Sequence, residues 1–134
     1  MVIQKEIIKK IAVVGMGVIG DLVATMLRLH GYEVVGIDNR RLKSATQIRR
    51  GDVADTDFMS NVLEDCDAVI SCLPYNLTRF VVEAAFDKGI HYFDATEDTQ
   101  MTCYIKDRAK NAKGVMIPQC GLAPGFIGIV ASHL

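Results

Sequence analysis

The chain has 134 residues, half of them apolar, with 15 lysines and arginines against 16 aspartates and glutamates for a net charge of −1. That length and apolar share suffice for one domain around a continuous core. The balanced charge leaves no basic footprint for nucleic acid or an anionic membrane surface, so neither is expected as a partner. After the charged start MVIQKEIIKK, the apolar run Ile11 to Val14 breaks at Gly15 and is too short for a secretory segment. No stretch approaches the roughly 20 apolar residues of a membrane helix. Cys66, Cys72, Cys103 and Cys120 form no CxxC pair and the histidines fit no ligand spacing, so no metal site is expected. Cys66, Cys72 and Cys120 lie in or beside apolar runs and read as small buried hydrophobes in a reducing compartment, which points to a soluble cytoplasmic protein.

Ile11 to Val14 (IAVV) reads as a short buried strand running into GMGVIG. Ile19, Leu22, Val23, Met26, Leu27 and His30 then recur at three- and four-residue steps, the stripe of a helix packed on a sheet, and Gly31 stops it. Further strands are predicted at Glu33 to Asp38, Gln47 to Val53, Asp67 to Leu73, Ile90 to Ala95 and Gly114 to Pro118. Most of these runs are continuously apolar, as suits a parallel sheet covered on both faces. Thr56 to Glu64, Asn76 to Lys88 and Asp98 to Lys110 are the predicted helices between them. Asn39 to Gln47 is shorter than the dozen or so residues of a usual parallel crossover, so a distorted turn is expected there. No linker or repeat interrupts the chain, and residues 1–134 are expected to form a single module.

Gly15, Gly17 and Gly20 match GxGxxG after a strand and at the opening of a helix, the context of a dinucleotide fingerprint. Gly15 would allow the tight turn, Gly17 the approach of a pyrophosphate, and Gly20 close helix–strand packing, with the amides of Val18 and Ile19 facing the anion. The fold class is therefore α/β, a doubly wound parallel sheet of Rossmann type with strand order 3-2-1-4-5-6. Asp38 ends the second strand, 18 residues past Gly20, near the roughly 20 expected of an acid that binds a ribose diol. This favours NAD. Asn39, Arg40 and Arg41 follow at once, and an arginine here either accommodates the 2′-phosphate of NADP or lies on a solvated turn. Asp52 and Val53 either line an adenine, the carboxylate accepting from its amino group, or Asp52 caps the next helix. Cys72, Leu73 and Pro74 close the fourth strand at the switch point, where their backbone would line the ribose side.

Beyond the fourth strand, HYFDATEDT carries Asp94, Glu97 and Asp98 on the ligand edge of the sheet. A carboxylate in a buried strand needs a partner, which makes Asp94 the candidate catalytic residue, against substrate or nicotinamide. Glu97 and Asp98 are expected in the first turn of the following helix, where negative charge is favoured.

GMGVIG, GDVAD, DAVISCLP, GIHYFDATED and QCGLAPG, in this order, resemble the first domain of the saccharopine dehydrogenase and lysine 6-dehydrogenase group across nearly the whole chain. The resemblance implies an NAD(P)-binding Rossmann domain of an enzyme that oxidises an amine carbon of a lysine-derived amino acid, or runs the reverse. By that likeness Gly15, Gly17, Val18 and Ile19 meet the pyrophosphate, Asp38 the adenosine ribose, Asp52 and Val53 the adenine, and Cys72 to Pro74 the ribose. Asp94 and the turn from Cys120 to Gly125 fall near the nicotinamide. The resemblance also implies that the apolar helix opening at Phe126 leads into a second domain that supplies substrate contacts and a homodimer surface. The chain thus reads as the amino-terminal part of a longer enzyme, binding dinucleotide but turning over little by itself. Two other readings are a regulatory nucleotide-binding module of a potassium channel or transporter, and a hydroxy-acid dehydrogenase. Neither accounts for the acidic strand end together with GLAPGF.

Overall fold

A computed structural model describes residues 7–134; the charged start, residues 1–6, lies outside the described residues. The strands are β1 (Lys10–Val14), β2 (Glu33–Asp38), β3 (Gln47–Arg50), β4 (Ala68–Ser71), β5 (His91–Asp94) and β6 (Met116–Ile117). The helices are α1 (Val18–Leu29), α2 (Thr56–Val62), α3 (Tyr75–Lys88), α4 (Thr99–Ala109) and α5 (Phe126–His133). The six strands form one sheet in order β3-β2-β1-β4-β5-β6, every pairing parallel, as expected. Among the described residues no helix is long and apolar enough to cross a membrane.

Alternation along β1 sends Ala12 and Val14 to one face and Val13 to the other. The first face meets Met59 of α2, Val81 and Val82 of α3 and Ile105 of α4 in the larger cluster, with Ile37, Val69 and Tyr92 from neighbouring strands. Each such side chain contributes about 1.5–3 kcal/mol on full burial. The second face is thinner. It holds Val13, Met16 and Ala24, with Val23, Leu27, Val34 and Ile48 packed at the edge.

The thinness has a cause in the chain. The link from β2 to β3 is irregular, as its length requires, and among the described residues it supplies no helix to cover this face. Leu42 from the link packs into the small cluster instead. The Ser44 hydroxyl donates to Asp21 Oδ1 of α1 at 2.5 Å, and Thr46 N–H donates to Ser44 Oγ at 3.0 Å, pinning the link to the helix.

Several boundaries move. The strand expected to reach Val53 ends at Arg50, so Asp52 and Val53 lie in the turn after it. Its end coincides with Gly51, where an added Cβ would come within 2.4 Å of the Phe58 ring. Asp52 does not cap α2. Its Oδ1 accepts from Ala54 N–H at 2.9 Å, while Asp55 is the cap, accepting from Phe58 N–H at 3.0 Å. Glu97 and Asp98 precede α4 instead of lying in its first turn, and Asp98 caps it by accepting from Met101 N–H at 2.7 Å.

Candidate functional site

The carboxyl ends of β1, β2 and β4 open onto a cleft of about 480 Å³, the place where open α/β sheets bind ligands. Its floor is the glycine turn between β1 and α1. Gly15 has φ +88°, and a Cβ there would press on Leu73 and the Cys72 carbonyl at 2.9–3.0 Å. A Cβ on Gly20 would lie 1.9 Å from the Gly15 carbonyl oxygen, so only glycine lets α1 start this close to the strand. Gly17 differs from both. It is the N-cap residue of α1, gives no side-chain cap, and its Cβ direction is open apart from Arg40 Nη2 at 4.0 Å. The first-turn amides of Val18, Ile19 and Gly20 thus have no helical acceptor and no cap beside an open approach, which suits a pyrophosphate at the positive helix end.

Asp38 stands over the turn. Its carboxylate is almost fully buried and takes four donors. Met16 N–H (2.9 Å) and Arg40 Nη2 (3.0 Å) donate to Oδ2; Arg40 N–H (2.9 Å) and Arg40 Nε (3.0 Å) donate to Oδ1. The guanidinium, helped by the backbone N–H groups and opposed by burial, holds this carboxyl below its ordinary range. Arg40 is thus no free turn residue, whereas Arg41 is exposed. Asn39 is exposed beside it and its carbonyl accepts from Arg50 Nε at 3.1 Å. Asp38, Asn39, Arg40, Asp52, Val53, Cys72, Leu73 and Pro74 all line the cleft with Gly15 and Gly17. Val53 is buried in its wall while Asp52 is exposed at its rim. Pro74 is the N-cap residue of α3, so the strand exit is at once a helix start.

A second cleft of about 380 Å³ adjoins along β4 and β5, sharing Cys72 and Leu73 with the first. Ile19, Asp94, Thr96 and Glu97 line it. Asp94 is buried, and its partners are all supplied by the fold. The Tyr92 hydroxyl donates to Oδ2 at 2.6 Å; the N–H groups of Thr96 (3.1 Å) and Gln119 (3.2 Å) donate to Oδ1. The Asp94 carbonyl accepts from Cys120 N–H at 2.7 Å. Asp94 therefore fastens the end of β5 to the Pro118–Gly125 turn. Burial raises the Tyr92 hydroxyl far above its ordinary value, with the Asp94 charge acting the same way, so it stays a donor. Burial pushes the Cys72 thiol up to about 11 and also raises Cys120, next to Asp94. Both shifts disfavour the thiolate.

The structure brings the fingerprint, Asp38 and the strand-end residues into one cleft and puts Ile19 and Asp94 in its extension. Val18 and Gly20 contribute through backbone at the helix start. Leu77 of α3, Tyr92 and Gln119 were not singled out from the sequence; Leu77 lines the first cleft and the other two hold Asp94. The alternation of β5 carried a signal for Tyr92, since residues two apart in a strand share a face.

Residues 11–117 match the family model described as saccharopine dehydrogenase NADP binding domain, and these are most of the chain. The chain belongs to this family. The saccharopine dehydrogenase (L-Glu forming) of Saccharomyces cerevisiae has the same fold, with TM-score 0.82 and 20% identity over 93% of this chain and 30% of that one. A short-chain dehydrogenase/reductase superfamily protein from Agrobacterium tumefaciens, solved with bound NAD, superposes with TM-score 0.56 and 24% identity over 65% of this chain and 32% of that one. In sequence, the chain is 49% identical over 49 residues to the UDP-N-acetyl-D-mannosamine dehydrogenase of Methanococcus vannielii, which is 37% of this chain and 11% of that protein. The chain thus spans a minor part of the length of these relatives. The cleft over Gly17 and Asp38 lies within the residues matched to this NADP-binding family.

Proposed function

We propose that this domain serves an enzyme that transfers a hydride between NAD(P) and the amine-bearing carbon of a lysine-derived amino acid. The complete protein is read as a cytoplasmic homodimer acting on a small amino-acid substrate. The observation that carries the reading is the pairing of two adjoining clefts at one sheet edge. One has the geometry for pyrophosphate and ribose, and the other ends at the Asp94-held Pro118–Gly125 turn. NAD(P) supplies the hydride chemistry when bound, while the protein binds, orients and excludes water. Val18 and Ile19 amides would hold the pyrophosphate, Asp38 the adenosine ribose, and Val53 with Leu77 would pack on the adenine. Asp94 acts at the nicotinamide end by positioning the turn through Gln119 and Cys120. The family assignment favours this enzyme over the regulatory-module reading.

Helix α5 supports a further domain in the complete protein. Phe126, Ile127, Ile129 and Val130 are all exposed and nothing on α5 is buried. Orientation of reactants supplies about 7–11 kcal/mol of a barrier, so without residues that clamp the amine the domain is expected to bind dinucleotide and turn over almost none. Calorimetric titration with NAD and NADP, paired with absorbance assays on L-lysine and saccharopine, tests this. Absence of binding by either dinucleotide refutes the cofactor site, and brisk turnover by the 134-residue chain refutes the shared-site reading.

A further inference from the structure

One face of α1 serves neither the core nor the first cleft. Gly20, Val23, Ala24 and Leu27 turn the helix onto the sheet. Val18, Ile19, Leu22, Met26 and Leu29 lie beside that face and are all exposed, Leu22 at 56% and Met26 at 48%. At about 100° per residue these five fill an arc of about 100° along the whole helix, a stripe roughly 18 Å long. Among the described residues α3 exposes two large apolar side chains, Tyr75 and Phe80, and α2 and α4 expose none. One edge of the stripe carries Asp21 in the first turn of α1 and Arg28 in the last, about two turns apart. Asp21 uses Oδ1 for the Ser44 hydroxyl, and Arg28 is exposed.

We propose, independently of the hydride-transfer reading, that this stripe is a dimer face on which α1 of a second copy of the chain packs antiparallel. A contiguous exposed apolar stripe edged by charge is the form of an interaction surface. The charges choose the occupant and its direction. A two-fold axis across antiparallel helices brings like edges together with their ends reversed, so Asp21 of each copy meets Arg28 of the other. Leu22 and Met26 then fall at the centre, and Val18 and Leu29 of opposite copies close the ends. Parallel pairing would set Arg28 against the partner's other edge, where Ile19 and His30 lie and no acid stands. One helix pair buries less than the roughly 1,200–2,000 Å² of a standard interface, so a Kd on the order of 100 µM is expected. The face is additional to any that a further domain supplies.

Sedimentation equilibrium on the 134-residue chain from about 10 µM to about 1 mM tests this, with a circular-dichroism melt of every variant. Wild type is expected to pass from monomer to dimer over that range. Leu22→Glu and Met26→Glu, both at exposed positions, should melt like wild type and weaken association at least about tenfold, since each copy would bury a charge. Arg28→Asp and Asp21→Arg should each weaken it about three- to tenfold, because like charges then meet at both contacts. An equal mixture of those two variants should restore wild-type association, because only the mixed pair sets opposite charges together twice. A chain that stays monomeric throughout overturns the face, whether or not it binds dinucleotide. A dimer that Leu22→Glu and Met26→Glu leave intact also overturns it and passes the contact to another surface such as α5. A mixture that associates no more tightly than its components overturns the antiparallel pairing.

Discussion

Asp38 and Asp94 end two strands of the same sheet, both are buried, and both carboxylates accept several hydrogen bonds. They differ in where the donors come from. Asp38 takes two of its four side-chain hydrogen bonds from the guanidinium of one exposed arginine, which water and other acceptors can reach. Asp94 takes its bonds from two backbone N–H groups and from a buried tyrosine on its own strand. A buried carboxylate at a sheet edge is thus read by its donors: side-chain donors in water mark a binding site, and backbone donors mark a fastening. At Asp94 the fastening lies in the wall of the second cleft.

The sharpest way to break this contrast is to remove Asp94. Asp94→Ala strands a tyrosine hydroxyl and two N–H groups, and urea unfolding should show a loss of about 3 kcal/mol or more. Amide exchange at Gln119 and Cys120 should quicken as the turn loosens; a loss under about 1 kcal/mol would place Asp94 with the ligand-side groups instead. Tyr92→Phe tests one arm of the same fastening. It leaves Oδ2 without its hydroxyl, and a loss of about 1.5 kcal/mol is expected from the same measurement. The smallest effect belongs to Asp38. Its folded carboxyl lies below the ordinary value of 3.8, so the Arg40 contribution is full above that value and fades as pH falls through the lowered one. Wild type should be slightly more stable than Arg40→Ala at neutral pH, given the exposure of the guanidinium, and the gap should close in acid. A gap that persists at pH 2 would show that Arg40 stabilises by packing.

Long apolar runs and the glycine fingerprint made the sheet order and the cleft legible in advance. Strand ends were less so, because β3 stops at Arg50, level with the last residue of β2, Asp38, and that register is set between strands. Capping shows the same limit. The sequence offers Asp52 as the cap, and it is the backbone path that gives Asp55 the N–H of Phe58 instead.

Local chemistry sufficed for what depends on spacing along the chain: six parallel strands, the turn that needs Gly15 and Gly20, and an acid at the end of β2. Those features follow from periodicity and from backbone geometry that few residues tolerate. Tertiary structure alone decided what each polar group bonds to. Arg40 is two residues from Asp38 and reads equally as a solvated charge, yet burial of the carboxylate draws the guanidinium onto it. Gln119 is 25 residues from Asp94, and only the parallel pairing of β5 with β6 brings its N–H within 3.2 Å. A side chain's donor is chosen by what the fold places within about 3 Å, a distance that sequence separation does not encode.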